Sequence, residues 1–320
     1  MKANDCLIYA GLIPDRPGGV GIHVSRLMDY LDVHQIPYEF VNYETASLIN
    51  QIKAISKSKV VHLHISNPIA LFAITTFCCL LGKKAVVTLH GNYGRFSPFK
   101  NYLVRQTLRM ASVPIVINQL SYDQCKCLNK NIKYIPAFIP PQKEERLQSE
   151  IVELIDKVKK SGKRIVSTNA FDVAYDKEGN EIYGIEFLSS FFMENNDYAL
   201  VVSDASGNYS KKYSENIKNV YFIGYPHPYY ELLKRVDIFV RNTSTDGDSL
   251  SVKESLSLGL PTLCSDAVDR PDGVIVFKYS EKKSFEEALK QATSLQPIKM
   301  DDAAAKIVNI YNEIINNQIH

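Results

Sequence analysis

None of the apolar runs in this 320-residue sequence is long enough to span a bilayer. The longest, Ile69 to Leu81, falls short and reads as a buried helix. No secretory signal is expected either, because Met1-Lys2-Ala3-Asn4-Asp5 is polar and the apolar core Cys6 to Ala10 is too short. Cysteines number six (Cys6, Cys78, Cys79, Cys125, Cys127 and Cys264), and none has metal-site spacing with histidine. They read as reduced thiols, so the expected location is cytoplasmic. No nucleic-acid reader motif occurs and the basic residues are not interleaved with aromatics, which argues against a nucleic-acid partner. A strong overall charge is also missing, the net being +2. The halves differ, however: residues 1–140 carry 15 Lys and Arg against 7 Asp and Glu, a net of +8, which leaves 22 against 28, or −6, for the remainder. A basic N-terminal half suits an anionic membrane face or a diphosphate-bearing acceptor, and scattered solvated lysines fit it equally well.

What is present has the composition of a globular protein, 45% hydrophobic and 22% charged, long enough for two domains with their own cores. Short, β-branched runs recur at 6–10, 38–42, 60–65, 85–89, 113–118 and 133–135. Helical patterns fill the gaps at His23 to Leu31, Ser47 to Ser56, Ile69 to Leu81 and Phe99 to Ala111. Continuous apolar strands alternating with helices predict a doubly wound parallel sheet, with ligands at the carboxyl ends of the strands. The proline-rich link Ile135 to Pro141 ends this domain, and a charged helix is expected over Glu144 to Lys160. The rhythm then repeats, with strands at 164–169, 198–204, 219–224, 237–242, 261–266 and 273–277 and helices at Gly184 to Met193, Pro228 to Val236 and Ala303 to Asn317. The boundaries are drawn at 1–140, 141–300 and 301–320.

Three features of the first half fall at strand ends. Pro17-Gly18-Gly19-Val20-Gly21-Ile22-His23 is a glycine-rich turn opening a helix, which lets backbone N–H groups approach a diphosphate but is equally the form of a plain tight turn. His62 and His64 share one face of a strand and read as packing residues. His90, at a strand terminus before Gly91, has a side chain that titrates near neutral pH, and a structural histidine fits the position as well. The loop Asn92 to Lys100 that follows is aromatic and basic, with Arg95 suited to an acceptor phosphate.

The densest stretch is Arg241 to Gly273. A strand ends at Asn242, Thr243 to Asp248 form a small acidic turn, and Ser249 is positioned as the N-cap of a helix over Leu250 to Leu258, closed by Gly259 and Pro261. The mouth of such a helix offers unpaired N–H groups and a positive dipole end to a phosphate. Asp246 and Glu254 frame that mouth and suit hydroxyls on either side of a diphosphate; an acidic helix start with a solvated glutamate fits the same spacing.

The order Asp246, Gly247-Asp248-Ser249-Leu250, Glu254 and Gly259-Leu260-Pro261-Thr262-Leu263-Cys264-Ser265-Asp266 resembles the retaining glycosyltransferases of GT-B architecture in family 4, in a compact bacterial branch that builds surface polysaccharide. That resemblance implies an α/β fold of two Rossmann-like domains facing across a cleft, the first for the acceptor and the second for a nucleotide sugar, with the last helix returning to the first domain. It implies sugar transfer from a nucleotide-diphosphate sugar, UDP favoured by frequency, to a hydroxyl of a glycan or lipid-diphosphate-linked acceptor. Glu254 would hold the ribose; Ser249 and Leu250 would hold the distal phosphate; Asp246, Gly247 and Asp248 would orient the sugar; Gly18 and Gly19 would lie beside the phosphates. His90 and Asp246 are the catalytic candidates. No metal or other cofactor is expected, since no Asp-x-Asp stands at a strand end where Mg²⁺ would bridge phosphates. Two departures matter: the first acid is Asp246 where the family usually has Glu, and Tyr183 stands where a phosphate-binding Lys is common. Arg241, Lys177 and Arg270 are the candidates to replace that charge. A non-catalytic nucleotide-sugar-binding subunit, or a GT-B epimerase or hydrolase, is the alternative reading.

Overall fold

A computed structural model describes residues 5–11, 18–213, 217–246, 249–292, 298 and 302–316. The chain divides into two compact units, Met1–Gln142 with Asp301–His320, and Lys143–Met300.

In the first unit β1 (Cys6–Ala10) leads through α1 (Gly19–Val33) to β2 (Glu39–Asn42), and α2 (Leu48–Lys57) precedes β3 (Val60–His64). Then come α3 (Pro68–Leu80), β4 (Lys84–Leu89), α4 (Pro98–Met110), β5 (Val113–Val116), α5 (Gln119–Cys125) and β6 (Lys133–Tyr134). All pairings are parallel, in the order β2-β1-β3-β4-β5-β6. Strand alternation sends Cys6, Ile8 and Ala10 to one face, against Val24, Leu27 and Leu31 of α1. Leu7 and Tyr9 go to the other, against Ala54 and Ile55 of α2 and Leu71 and Cys78 of α3. Burial on both faces explains why these strands read as unbroken apolar runs.

The second unit follows the same plan. Its elements before the sheet reverses direction are α6 (Ser149–Lys160), β7 (Arg164–Ala170), α7 (Ile185–Glu194), β8 (Tyr198–Asp204), α8 (Asn208–Lys212), β9 (Val220–Ile223) and α9 (Tyr229–Leu233). They are followed by β10 (Ile238–Arg241), α10 (Leu250–Ser257), β11 (Thr262–Ser265), β12 (Ile275–Phe277) and α11 (Lys282–Gln291). The parallel order is β12-β11-β10-β7-β8-β9. Both sheets therefore reverse their direction of growth once, between β1 and β3 in the first and between β7 and β10 in the second. At each reversal the flanking helices depart to opposite faces and leave a crevice at the strand carboxyl ends.

The final helix, α12 (Ala303–Ile315), belongs to the first unit. Its Ala303, Ala304, Ile307, Ile310, Tyr311 and Ile314 pack with α1 and the β1–β3–β4 face. Tyr311 is fully buried, and its hydroxyl meets His62 Nδ1 at 2.5 Å while His62 Nε2 meets Thr88 Oγ1 at 2.7 Å. His62 thus ties α12, β3 and β4 together.

Some expected elements shift. The helix expected from Glu144 begins at Ser149, because the stripe it buries, Ile151, Ile155 and Val158, starts only there. Helices α5, α8 and α11 carry no strong prior signal, being short or strongly charged. Among the described residues, no helix is long and apolar enough to cross a membrane.

Tyr311→Phe should destabilise the first unit by about 1–3 kcal/mol, by leaving buried His62 Nδ1 without its partner. Tyr311→Ala should cost about 3–5 kcal/mol, because a large buried side chain is lost. Urea unfolding of the three proteins measures this, and an unchanged midpoint in Tyr311→Phe would remove His62 from the framework.

Candidate active site

The crevice of the second unit is built from the ends of β7, β10 and β11 and the start of α10. Arg241 is the last residue of β10. Its guanidinium donates from Nε to Asp246 Oδ2 at 3.0 Å and from Nη2 to Asp246 Oδ1 at 3.1 Å, a two-pronged pair. Nη1 donates across the sheet reversal to the backbone oxygen of Asn169 in β7 at 3.1 Å and to its Oδ1 at 3.3 Å. Tyr183 lies under the guanidinium, 5.2 Å from ring centre to Cζ. The residue that replaces the expected lysine is therefore a platform for the arginine.

A second arginine closes the other side. Arg270 Nη1 donates to Asp246 Oδ2 at 3.0 Å, Nη2 to Thr243 Oγ1 and Ser265 Oγ at 3.1 Å each, and Nε to the Ser265 carbonyl at 2.9 Å. Ser265, at the end of β11, returns its hydroxyl to the Thr243 carbonyl at 2.7 Å and accepts from Thr243 N at 3.0 Å. The side chains of Arg241, Asp246 and Arg270 are 12%, 7% and 4% exposed. Burial by itself would raise the Asp246 pKa, but Arg241 and then Arg270 outweigh it and hold the carboxyl below its usual range. Burial would lower the Arg241 pKa, and Asp246 outweighs that and raises it. Two cations around one anion leave this knot with a net positive charge.

The knot continues into α10. Ser251 Oγ donates to Asn169 Oδ1 at 3.0 Å and meets Ser249 Oγ at 3.1 Å. Ser249 is the N-cap by backbone position, but its side chain makes no cap bond and its hydroxyl meets Ser251 instead. No acidic side chain stands in the first turn of α10, so its positive end is not neutralised by its own sequence. Glu254 lies one turn inside, 4% exposed. Burial raises the pKa of neighbouring Tyr229; the bond from Ser167 and the charge of Arg241 act against this, and Glu254 adds to it. Cation and anion are thus separated, arginines at the loop and glutamate in the helix. Gly184 completes the wall: its φ of +55° and the Asn242 side chain and carbonyl packed against it exclude any Cβ.

Asp246, a catalytic candidate from sequence, thus has both oxygens engaged by arginines, and its position is that of a positioning group for Arg241 and Arg270. Arg241, Ser249, Leu250 and Glu254 gather around the same helix mouth. Gly247 and Asp248 lie outside the described residues. Lys177 is exposed in the loop before α7, with no place in the knot. Arg270, another of the three candidates, is central. Asn169 joins the site because strand order puts the end of β7 beside β10.

The first unit gathers a different set. Gly18 is the N-cap of α1 in extended conformation, and a Cβ there would meet no described atom. Gly19 is the first residue of α1, and Pro17 lies outside the described residues. His90, 9% exposed, directs Nε2 to His64 Nδ1 at 2.9 Å, and its ring centre is 5.2 Å from that of His23. His23 Nδ1 meets the Ala137 carbonyl at 2.7 Å. Burial, then neighbouring histidines, push the pKa values of His64 and His90 well below the ordinary imidazole value, with Arg95 adding to the effect at His90. Burial also lowers His23, against the bond to Ala137. These rings are neutral at pH 7. His64, expected only to pack, is part of this group.

No family model and no curated protein matches the sequence. Solved structures do match along the whole chain. HepE from Anabaena in complex with UDP has 14% identity and a TM-score of 0.66, covering 98% of this chain and 99% of its own. Sucrose-phosphate synthase from Thermosynechococcus elongatus has 12% identity and a TM-score of 0.66, covering 98% and 100%. A protein proposed to be a UDP-N-acetylglucosamine 2-epimerase, from Listeria monocytogenes, has 13% identity and a TM-score of 0.65, covering 99% and 98%. At these identities the likeness is one of fold, and the fold is GT-B.

Asp246→Asn should destabilise the second unit at pH 7 by about 3–5 kcal/mol, since two buried arginines lose their counter-charge. The folded pKa of Asp246 lies below the unfolded value near 3.9, so the stabilisation is complete above that pH and is lost as pH falls through the folded value. The stability gap between wild type and Asp246→Asn should therefore close in acid; a gap independent of pH would mean the carboxyl is not ionised.

Proposed function

We propose that the protein is a glycosyltransferase that moves a sugar from a nucleotide-diphosphate donor, a UDP-sugar by preference, to a hydroxyl of a glycan or lipid-linked acceptor. The observation that supports this reading most is the net-positive Arg241–Asp246–Arg270 knot at the sheet reversal, beside the mouth of α10. A departing diphosphate needs compensating positive charge in a fixed place, and this knot supplies it without the lysine that Tyr183 replaces. UDP in HepE and the sucrose-phosphate synthase chemistry named for a second match point the same way.

In this reading Glu254 accepts from the ribose hydroxyls, while the backbone N–H groups at Ser249 and Leu250 and the guanidinium of Arg241 meet the phosphates. Asp246 holds both arginines in register, with Gly247 and Asp248 beside the sugar. The bond from the anomeric carbon to the phosphate oxygen breaks as the acceptor oxygen bonds that carbon on the same face. The acceptor's proton passes to the departing phosphate oxygen, so configuration is retained without a protein nucleophile. Neutral His90 donates to a hydroxyl of the sugar or acceptor, Gly18 and Gly19 leave room at the mouth of α1, and no metal takes part in phosphate departure. The basic first unit suits an anionic acceptor or the inner membrane face, where surface polysaccharide precursors are built.

UDP at one hundred times its dissociation constant should stabilise the protein by about 2.7 kcal/mol. In a thermal-shift titration, Glu254→Ala and Arg241→Ala should each weaken binding at least tenfold; an unchanged response in both would remove the nucleotide from this crevice. The likeness to the epimerase-like protein supports a second reading, sugar-nucleotide epimerisation. Incubation with UDP-sugars, with and without a hydroxyl acceptor, separates the two: transfer requires the acceptor, whereas an epimer formed without one would replace the transferase reading.

A further inference from the structure

Three imidazoles converge at the carboxyl end of the first unit's sheet, from three elements. His23 comes from the second turn of α1, His64 ends β3 and His90 follows β4. One ring nitrogen of each lies within 4.8 Å of one from each of the others. All three rings are buried, yet His23 Nε2 and His64 Nε2 have no hydrogen-bond partner. Two orphaned ring nitrogens in one buried cluster are costly unless something else completes them. Meanwhile His23 Nδ1 is held by the Ala137 carbonyl at 2.7 Å. A backbone oxygen on Nδ1 fixes the tautomer and leaves the Nε2 lone pair bare, which is the outer support that metal-binding histidines use.

We propose that His23, His64 and His90 form a three-histidine site for a first-row transition cation of the Zn²⁺ class. The donor set selects the ion: all three donors are imidazole nitrogens, which favour Zn²⁺, Co²⁺, Ni²⁺ or Cu²⁺ over the oxygen-seeking Mg²⁺ and Ca²⁺. Zn–N bonds of about 2.0–2.1 Å place tetrahedral ligand nitrogens roughly 3.3 Å apart, so nitrogens now within 4.8 Å of one another close by up to about 1.5 Å on binding. The 2.9 Å contact between His64 Nδ1 and His90 Nε2 opens as His90 turns a lone pair to the ion. Each neutral ring lends its unprotonated nitrogen, so no ring proton has to leave. Three protein ligands leave a fourth position open, and the Arg95 guanidinium packed against Gly91 beside His90 favours an anion or a polarised water there.

The site goes beyond the transfer reading. His90 cannot ligate an ion and meet a sugar hydroxyl through the same nitrogen, so the test is read at His23 and His64, which transfer does not use. Untagged full-length protein, stripped with chelator, is titrated with Co²⁺ as an optical probe. One Co²⁺ per chain should bind, with the visible bands of four-coordinate cobalt and displacement by Zn²⁺. His23→Gln and His64→Gln should each weaken binding by about 10–100-fold, with His34→Gln as the unaffected control. Imidazole NMR of the wild type with Zn²⁺ decides the matter without variants: three buried ring signals should move while those of His34 and His227 stay. No stoichiometric binding by the wild type, or equal affinity in His64→Gln, overturns the site whatever becomes of UDP binding.

Discussion

The second unit depends on one electrostatic arrangement, an aspartate held between two buried arginines where its sheet reverses direction. Charges buried this deeply cost several kcal/mol each in lost hydration, and apolar side chains of the same volume would fill the space at least as stably. The cluster is therefore weak as a contribution to folding, and the proposed function gives it a use. Beyond Asp246, the two guanidiniums bond Asn169 on β7, Thr243 after β10 and Ser265 on β11, and Asn169 links them to Ser251 on α10. The guanidinium positions are thereby set by the sheet itself, which is the preorganisation that the proposed transfer would ask of a phosphate site.

The first unit uses the corresponding end of its own sheet with the opposite chemistry. Where the second unit collects charge, the first collects neutral imidazoles, and burial is what keeps them neutral. His62 shows the structural use of such a ring, both nitrogens being satisfied by Tyr311 and Thr88. His64, two residues on, faces the same side of the strand but has one nitrogen left over. The difference between a framework histidine and a ligand candidate is this bonding count, and it is invisible in the spacing His-x-His.

Much of the architecture was legible. Unbroken β-branched runs separated by amphipathic helices mark buried parallel strands, because only a sheet covered on both faces hides both sets of alternate side chains. Helices whose apolar stripe is short or interrupted, such as α5 and α8, were not legible, since their stability comes from docking. The mouth of α10 was found because capping and breaking residues act locally: Ser249 before the helix and Gly259 and Pro261 after it mark its ends from sequence alone. The pairing at that mouth was not legible for the converse reason. Arg270 meets Asp246 only because β11 lies beside β10 in the sheet.

By itself the sequence determined two α/β units, the strand and helix order, and the concentration of polar chemistry at strand ends, since all of these follow from local periodicity. Strand order was decided only in three dimensions, and with it the meeting of Asn169 with Arg241, of Arg270 with Asp246, and of His23 with His64 and His90. Those contacts join residues many positions apart, through side chains whose direction depends on which strand lies beside which. No local pattern encodes that neighbour; the packing of both sheet faces does.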